Sequence, residues 1–373
     1  MAEKTSYREQ ADQRCILQMR EIAKGLPPAC GDFFRNIAMT TRALTRLAYA
    51  LDLRTFFEFL QTERLGFHDK PLTSFDDRDL ERVSQRDLAV YVEYLTYYVK
   101  SDESDGDSFR EFVNHDLSIK RKLCAVRSFY SFLFRSERIS SNVTDLVPLP
   151  KIHEKPIIRL SQPELRKMLE QAATGEGLTE YQQRFQKITA KRDFAMLSLF
   201  LGTGIRVSEC VGLNIDDIDL DENAFLVTRK GGNQAVLYFP PEVAEALADY
   251  MEQRKEIEPL EGHENALFLS MQRRRITQRA VQKLVKKYAA IAAPLKPRIS
   301  PHKLRSTFGT NLYHATGDIY LVADVLGHSS VDTTRKHYAD MTQERRQKAA
   351  EYVHLPDAEG NISADNEENM GIK

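Results

Sequence analysis

A proline-broken stretch near the middle, NVTDLVPLPKIHEKPIIRL at residues 142–160, limits the folds open to this chain more than any other feature. Pro148, Pro150 and Pro156 each lack an amide donor and push the preceding residue toward extended backbone, so no helix runs through. The chain is therefore read as two parts, residues 1–150 and 161–355, joined by a linker at 151–160. With 373 residues there is chain enough for two hydrophobic cores.

Residues 7–150 read as helices joined by polar loops, with no clear strand pattern. Leu44, Leu47, Ala48, Leu51, Phe56, Phe57, Phe59 and Leu60 recur at spacings of three and four. So do Leu88, Val90, Tyr91, Tyr94 and Leu95, and then Leu123, Val126, Phe129, Tyr130, Phe132 and Leu133. That is the period of helices with one buried face, which makes the aromatic residues core. The acidic run SDESDGDS, residues 101–108, is expected to be a surface loop.

The second part opens with a start signal. Ser161 and Glu164 form a capping box, flanked by Leu160 and Leu165 as a hydrophobic staple. Thr174–Lys191 reads as a polar segment, and the apolar run Phe194–Leu201 as a buried helix ending at Gly202, Thr203 and Gly204. Ala224–Thr228 and Ala235–Phe239 are β-rich runs around RKGGNQ, a hairpin by its Gly-Gly turn. Helices are expected at 242–255 and Thr277–Ala292, with a short strand at Ala266–Leu269 between them. Ser300 can cap a helix beginning at Pro301, and a helix near Asp318 should stop at Gly327. Ser329 or Ser330 can cap a further helix that carries Tyr338. Thr342–Val353 is helical by period, and residues 356–373 read as a disordered acidic tail.

Composition excludes some functions. No run of eighteen apolar residues is present, and MAEKTSYREQ is charged, so no membrane partner is expected and the protein reads as cytoplasmic. Cys15, Cys30, Cys124 and Cys210 lack CxxC spacing and read as reduced core residues. The formal net charge of −1 announces no polyanion partner. Local basic clusters at Lys120, Arg121, Lys122 and Arg127, and at Arg274, Arg275 and Arg279, could be solvated helix faces or could flank a nucleic acid.

The chemistry concentrates near turns and helix ends. Arg206 follows a buried helix and a glycine turn, where an arginine is either paired to a core carboxylate or presented to an anion. Lys230 sits at a hairpin tip, a place where lysine is normally only solvated. His302 and Arg305 lie on one face of their helix, one turn in, His328 follows Gly327 directly, and Tyr338 comes two turns later. His302 and His328 lack a second ligand four residues on, and no cysteine is near, so no metal is expected. GTGIRVSE has neither a Walker lysine nor GxGxxG spacing. Two guanidiniums, two imidazoles, an ammonium and a phenol suit a phosphodiester. The arginines would stabilise charge on its non-bridging oxygens, the histidines would manage protons, and Tyr338 would attack.

With those residues in order, the sequence resembles the tyrosine recombinases, or phage integrase family. The pattern is Arg206 in TGIRVSE, Lys230 in the hairpin, His302-Lys303-Leu304-Arg305, Leu326-Gly327-His328, and Tyr338. RKGG, PHKLR and VLGHSSVDTT bring it nearest to the Xer recombinases of the single-protein kind; Ser306 departs from the histidine that members often carry there. The resemblance implies a mainly α, two-domain DNA clamp. Its parts would be an all-helical core-binding (SAM-like) domain and an α+β catalytic domain with a small antiparallel sheet. It also implies a homo-tetramer on two double-stranded recombination sites, cleavage to a 3′-phosphotyrosine, strand exchange through a Holliday junction, and no cofactor. A DNA translocase or excision factor would be a regulatory partner, and Glu209 would orient an active-site cation from behind. Chromosome dimer resolution is the expected role. A mobile-element integrase, a type IB topoisomerase, and a DNA-binding protein without chemistry on the same fold are the alternatives.

Overall fold

The computed structural model describes residues 7–68, 70–101, 109–152, 158–229 and 232–327. The chain separates into two units, residues 1–155 and 156–373.

The first unit contains α1 (Tyr7–Lys24), α2 (Pro28–Asn36), α3 (Ala43–Glu63), α4 (Asp77–Glu81), α5 (Gln85–Thr96), β1 (Tyr97–Ser101), β2 (Phe109–Val113) and α6 (Asp116–Arg135). Local chemistry starts the middle helices. Asp76 and Asp79 cap α4 reciprocally at 3.0 Å, and Ser84 and Asp87 do the same for α5. The predicted aromatic stripes meet in one core, where Phe56, Phe57, Phe59, Tyr91, Phe129 and Tyr130 are fully buried. Phe56 and Tyr91 pack edge-on with ring centroids 5.1 Å apart, as do Phe33 and Phe129 at 5.6 Å. Such pairs add about 0.5–1.5 kcal/mol each beyond their area. Leu44 and Leu51, expected on the α3 stripe, are instead exposed.

A second expectation fails in this unit. The helices expected through residues 7–150, with no clear strand pattern, give way to a ribbon of two antiparallel strands, β1 and β2, with Tyr97 opposite Val113 and Lys100 opposite Arg110. Tyr98 and Phe112 stack at 4.9 Å on its inner face and join Tyr94 of α5, which holds the ribbon to the helices. A two-stranded ribbon alone is marginal, so this packing is what sustains it. Residues 102–108, most of the expected acidic loop, lie outside the described residues.

The second unit contains α7 (Gln162–Thr174), α8 (Glu180–Thr203), α9 (Val207–Gly212), β3 (Ile218–Asp219), β4 (Ala224–Thr228), β5 (Gln234–Tyr238), α10 (Pro241–Lys255), α11 (Gln278–Ala292), α12 (Pro301–Thr316) and α13 (Ile319–Leu326). At the entry to α7 the Glu164 carboxylate accepts from the Ser161 amide at 2.6 Å, and Leu160 and Leu165 are buried beside it. α8 is the central helix, packed by α7, α10 and α12. It starts well before the apolar run, because Thr179 and Gln182 form a capping box at 3.1 and 3.3 Å. The polar segment expected at 174–191 is therefore largely helix. Asp193, 1% exposed within α8, accepts from Arg192, Thr189, Lys287 and Tyr288 at 2.7–3.2 Å and so pins α11 to α8.

The sheet order is β3-β4-β5, all antiparallel, with Phe225 opposite Leu237 and Thr228 opposite Gln234. β5 begins one residue earlier than expected. No strand forms at 266–269; only two isolated bridges, Asn214 with Ala266 and Leu269 with Arg275, join that loop to its neighbours. Arg254 is buried there and donates to the carbonyls of Ala266, Ile257 and Glu264, which organises the loop without a ladder. Among the described residues no helix is long and apolar enough to cross a membrane.

Candidate active site

The site starts from a glycine. Gly204 ends α8 in the left-handed region, with φ +63°. A Cβ there would stand 2.4 Å from Phe308 of α12 and 3.0 Å from Leu326 of α13. Only glycine permits both the turn and the approach of the three helices. Two residues on, Arg206 occupies the N-cap position of α9. Its amide donates to Glu209 Oε2 at 3.0 Å, its Nη1 to Glu209 Oε1 at 2.8 Å, and its Nη2 to the carbonyl of Gly327 at 2.8 Å. Of the two readings left open for Arg206, pairing to a buried carboxylate is the one observed, and its side chain is still 29% exposed.

Arg305 lies in the second turn of α12 and is buried. It donates Nη1 to the carbonyl of Gly204 at 2.6 Å and Nη2 to that of Leu326. His302, one turn earlier, is exposed. Ser300 stands at the N-cap of α12, yet its side chain makes no capping bond, so Pro301 in the first turn carries the start signal. Ser306, the departure from the family pattern, donates its hydroxyl to the His302 carbonyl at 3.0 Å.

α13 is capped by Asp318, which accepts from the amides of Tyr320 and Leu321 at 2.8 and 3.1 Å, and it ends at Gly327 with φ +58°. The last carbonyls of a helix lack internal partners and carry the negative end of its dipole. Here four consecutive ones are taken by guanidiniums. Arg229 donates to Asp324 at 3.1 Å and Val325 at 2.8 Å, Arg305 to Leu326, and Arg206 to Gly327. Beside these carbonyls, Arg206 also bonds the carboxylate of Glu209. Lys230, His328 and Tyr338 lie outside the described residues; Lys230 follows Arg229 in the chain and His328 follows Gly327.

The basic residues expected to meet nucleic acid divide into two kinds. Lys120 is half-buried, and Arg121, Arg274 and Arg279 are exposed. Arg121 is also ion-paired to Asp52. Lys122 is buried against the same Asp52 at 3.4 Å, and burial pushes the ammonium pKa down and the carboxyl pKa up. Arg127 donates to the carbonyl of Val147. Arg275 donates to Val211 and Leu213 carbonyls at 3.1 and 2.7 Å and to Asn214 at 2.6 Å. Lys122, Arg127 and Arg275 are thus engaged in holding the fold, a use that charge clustering in a sequence does not distinguish from a binding face.

The profile of the phage integrase family matches residues 159–345. A tyrosine recombinase XerC from Caldanaerobacter subterraneus is 33% identical over 322 residues, covering 83% of this chain and 82% of its own. Another from Chlorobaculum tepidum is 30% identical over 335 residues, covering 87% and 93%. The chain belongs to the phage integrase family. It is accordingly a tyrosine recombinase, an enzyme of the class that cuts DNA and exchanges strands. The fold agrees with solved members. A XerH site-specific recombinase bound to a palindromic difH substrate aligns with a TM-score of 0.60 at 19% identity, over 93% of this chain and 90% of that one. The Tn1549 transposon integrase with circular intermediate DNA gives 0.57 at 19%, over 84% and 95%.

For this recombinase, reading the sequence alone missed Arg229, which shares the α13 carboxyl end with Arg206 and Arg305. Its only local signal is its place beside Lys230. Also missed were Lys100 and Arg110, which face one another across β1 and β2 and line a cavity with Arg54, Asp52 and Arg121. The alternation Tyr98, Lys100 and Arg110, Phe112 would have shown them, had the hairpin been recognised.

Proposed function

We propose that this recombinase is an Xer-type enzyme that resolves chromosome dimers in the cytoplasm, acting as a tetramer on two duplex sites. The observation that carries the chemistry is the pairing of Arg206 and Arg305 at one helix end, held by the Gly204, Leu326 and Gly327 carbonyls. Guanidiniums so placed suit the non-bridging oxygens of one phosphodiester as charge builds on them. In this reading the phenol oxygen of Tyr338 attacks phosphorus and forms a 3′-phosphotyrosine. The bond from phosphorus to the 5′ oxygen breaks, and Lys230 gives that oxygen its proton. His302 and His328 hydrogen-bond the phosphoryl group and manage the phenol proton. Glu209 positions Arg206, since it binds both its amide and its guanidinium.

Residues 1–150 would serve as the core-binding domain, with Lys120 and Arg121 on the DNA, and 161–355 as the catalytic domain, with Arg274 and Arg279 on it. The Xer assignment is supported by relatives named XerC that match at 30% and 33% identity over most of both chains. The test is a suicide duplex carrying the cognate site. Wild type traps a covalent adduct, Tyr338→Phe binds the duplex without forming one, and an adduct that persists in Tyr338→Phe refutes the assignment of the nucleophile. Relaxation of supercoiled plasmid without any site would point to a topoisomerase instead.

A further inference from the structure

The β4–β5 hairpin carries Lys230 between two described residues that are themselves tied together. The Arg229 amide donates to the Asn233 carbonyl at 2.7 Å, and the Gly232 amide donates to the Arg229 carbonyl at 3.1 Å. Arg229 is thus the last backbone position before Lys230 and one wall of the hairpin's closure. Its side chain leaves the sheet altogether. It reaches the carboxyl end of α13, where its two terminal nitrogens donate to the carbonyls of Asp324 and Val325 at 3.1 and 2.8 Å. The guanidinium lies so close to the Gly327 backbone that a Cβ on Gly327 would come within 2.4 Å of it. The glycine that ends α13 therefore also makes room for the arginine.

We propose that Arg229 is a positioning residue for the leaving-group proton: it roots the lysine hairpin on the same helix end that holds Arg206 and Arg305. This rests on the proposed role of Lys230 as the acid that protonates the departing 5′ oxygen. Three features favour the assignment over a plain surface contact. Two neighbouring carbonyls accept from one planar fork, which fixes direction as well as distance. The anchor is one residue from Lys230, so little backbone slack separates them. The receiving carbonyls belong to α13, whose last residue Leu326 holds Arg305 and whose cap Gly327 holds Arg206, so the residue before the lysine is tied to the phosphate clamp itself. A general acid is useful only within hydrogen-bond reach of its target atom, and a misplacement of about 1 Å can cost ~100-fold in rate.

The test separates loss of the proton from every other defect. Single-turnover cleavage is measured on two duplexes, one ordinary and one with sulfur replacing the bridging 5′ oxygen at the scissile phosphate. A thiolate leaves without a proton, because thiols are far more acidic than alcohols, so only steps other than leaving-group protonation remain sensitive. Lys230→Ala should be slow on oxygen and restored on sulfur. Arg229→Ala should slow the oxygen substrate by about 10-fold or more, part of the ~10²–10⁴ that a general acid supplies, and lie within about threefold of wild type on sulfur. Arg229→Lys, which keeps charge but not the two-pronged fork, should show a smaller loss of the same kind.

Equal slowing on both substrates, as Arg206→Ala should give, would overturn the proposal, and so would no slowing on either. Should Arg229→Ala fold poorly, judged by lost protection of α13 amides in hydrogen exchange, the ratio of rates on the two substrates for Arg229→Lys decides. A Lys230→Ala variant that sulfur does not restore would refute the lysine role itself, whereas restoration of Lys230→Ala but not of Arg229→Ala refutes the present inference alone.

Discussion

Replacing Gly204 by alanine should loosen the second unit. The cost has two parts. At φ +63° a Cβ meets its own backbone, which costs about 1–2 kcal/mol, partly offset by about 0.4–1 kcal/mol because alanine restricts the unfolded chain. The new methyl would also stand 2.4 Å from Phe308 and 3.0 Å from Leu326. Both side chains lie in the packing between α12 and α13, and forcing such a site apart costs about 1–3 kcal/mol. The net is about 1–4.6 kcal/mol, or roughly 5- to 2,000-fold in the opening equilibrium. Gly262 supplies the control, because it also has positive φ, at +81°, but nothing lies within 4 Å of its Cβ position. Gly262→Ala should cost only about 1 kcal/mol. Hydrogen exchange at the slowest amides of α8, residues 195–200, reads both. Indistinguishable protection in the two variants would refute the packing half of the reasoning. The change should also impair cleavage more than DNA binding, since the Gly204 carbonyl holds Arg305.

Other expectations follow from the division of the basic residues and from one carboxylate. Arg274→Ala and Arg279→Ala should each reduce the slope of log affinity for DNA against log salt by about 1, whereas Arg275→Ala should lower stability at an unchanged slope, because it strips donors from Val211, Leu213 and Asn214. An Arg275→Ala protein with wild-type stability would refute that. For Glu164, burial works to raise the carboxyl pKa but is outweighed by the bonds from Lys296 and Ser161, so it lies below the ordinary 4.5. A carboxylate held low contributes stability above its unfolded pKa and loses it as pH falls through the folded one. The stability gap between wild type and Glu164→Gln should therefore be constant from neutrality to about pH 5 and close toward about pH 3. Urea midpoints across that range check it, and a gap that widens on acidification would contradict the sign.

Legibility followed the length of the signal. The aromatic cluster at Phe56–Leu60 and the stripe of about three turns at Leu123–Leu133 identified the first core because burial and helical period agree there. The hairpin at 97–113 was lost because each strand is only five residues long and the acidic run between them reads as loop. The start of α8 was missed although Thr179 and Gln182 carry a capping signature, since the polar residues after it hide the period. At the site, the chemistry of Arg206 and Arg305 was visible as motif. What they hold was not: carbonyl partners lie from 21 to 121 residues away in the chain and leave no trace in residue type. The same blindness merged Arg275 with Arg274 and Arg279. A guanidinium bound to backbone carbonyls and one turned to solvent are written with the same letter.

That the arginines are held mainly by carbonyls bears on how the site can work. A carboxylate partner fixes a guanidinium but cancels its charge, whereas a carbonyl fixes it and leaves the charge standing. Arginine has five N–H donors in a rigid plane, so Arg206 can spend one on Glu209 and one on Gly327 and, among the described residues, still direct others outward. Lysine would keep the charge without the plane, and one carbonyl would exhaust most of its directional value. The carboxyl end of α13 is on its own the wrong place for an anion, because the helix dipole is negative there. Three guanidiniums oppose that sign, and in doing so they bond the carbonyls of Val325, Leu326 and Gly327, while that of Asp324 accepts from the Gly327 amide as well as from Arg229. Structure and charge are thus supplied by the same bonds. A substitution that frees an arginine from its carbonyl consequently disturbs the helix end and the anion site together, and the spacing between the two arginines is set by consecutive residues of one helix, Leu326 and Gly327.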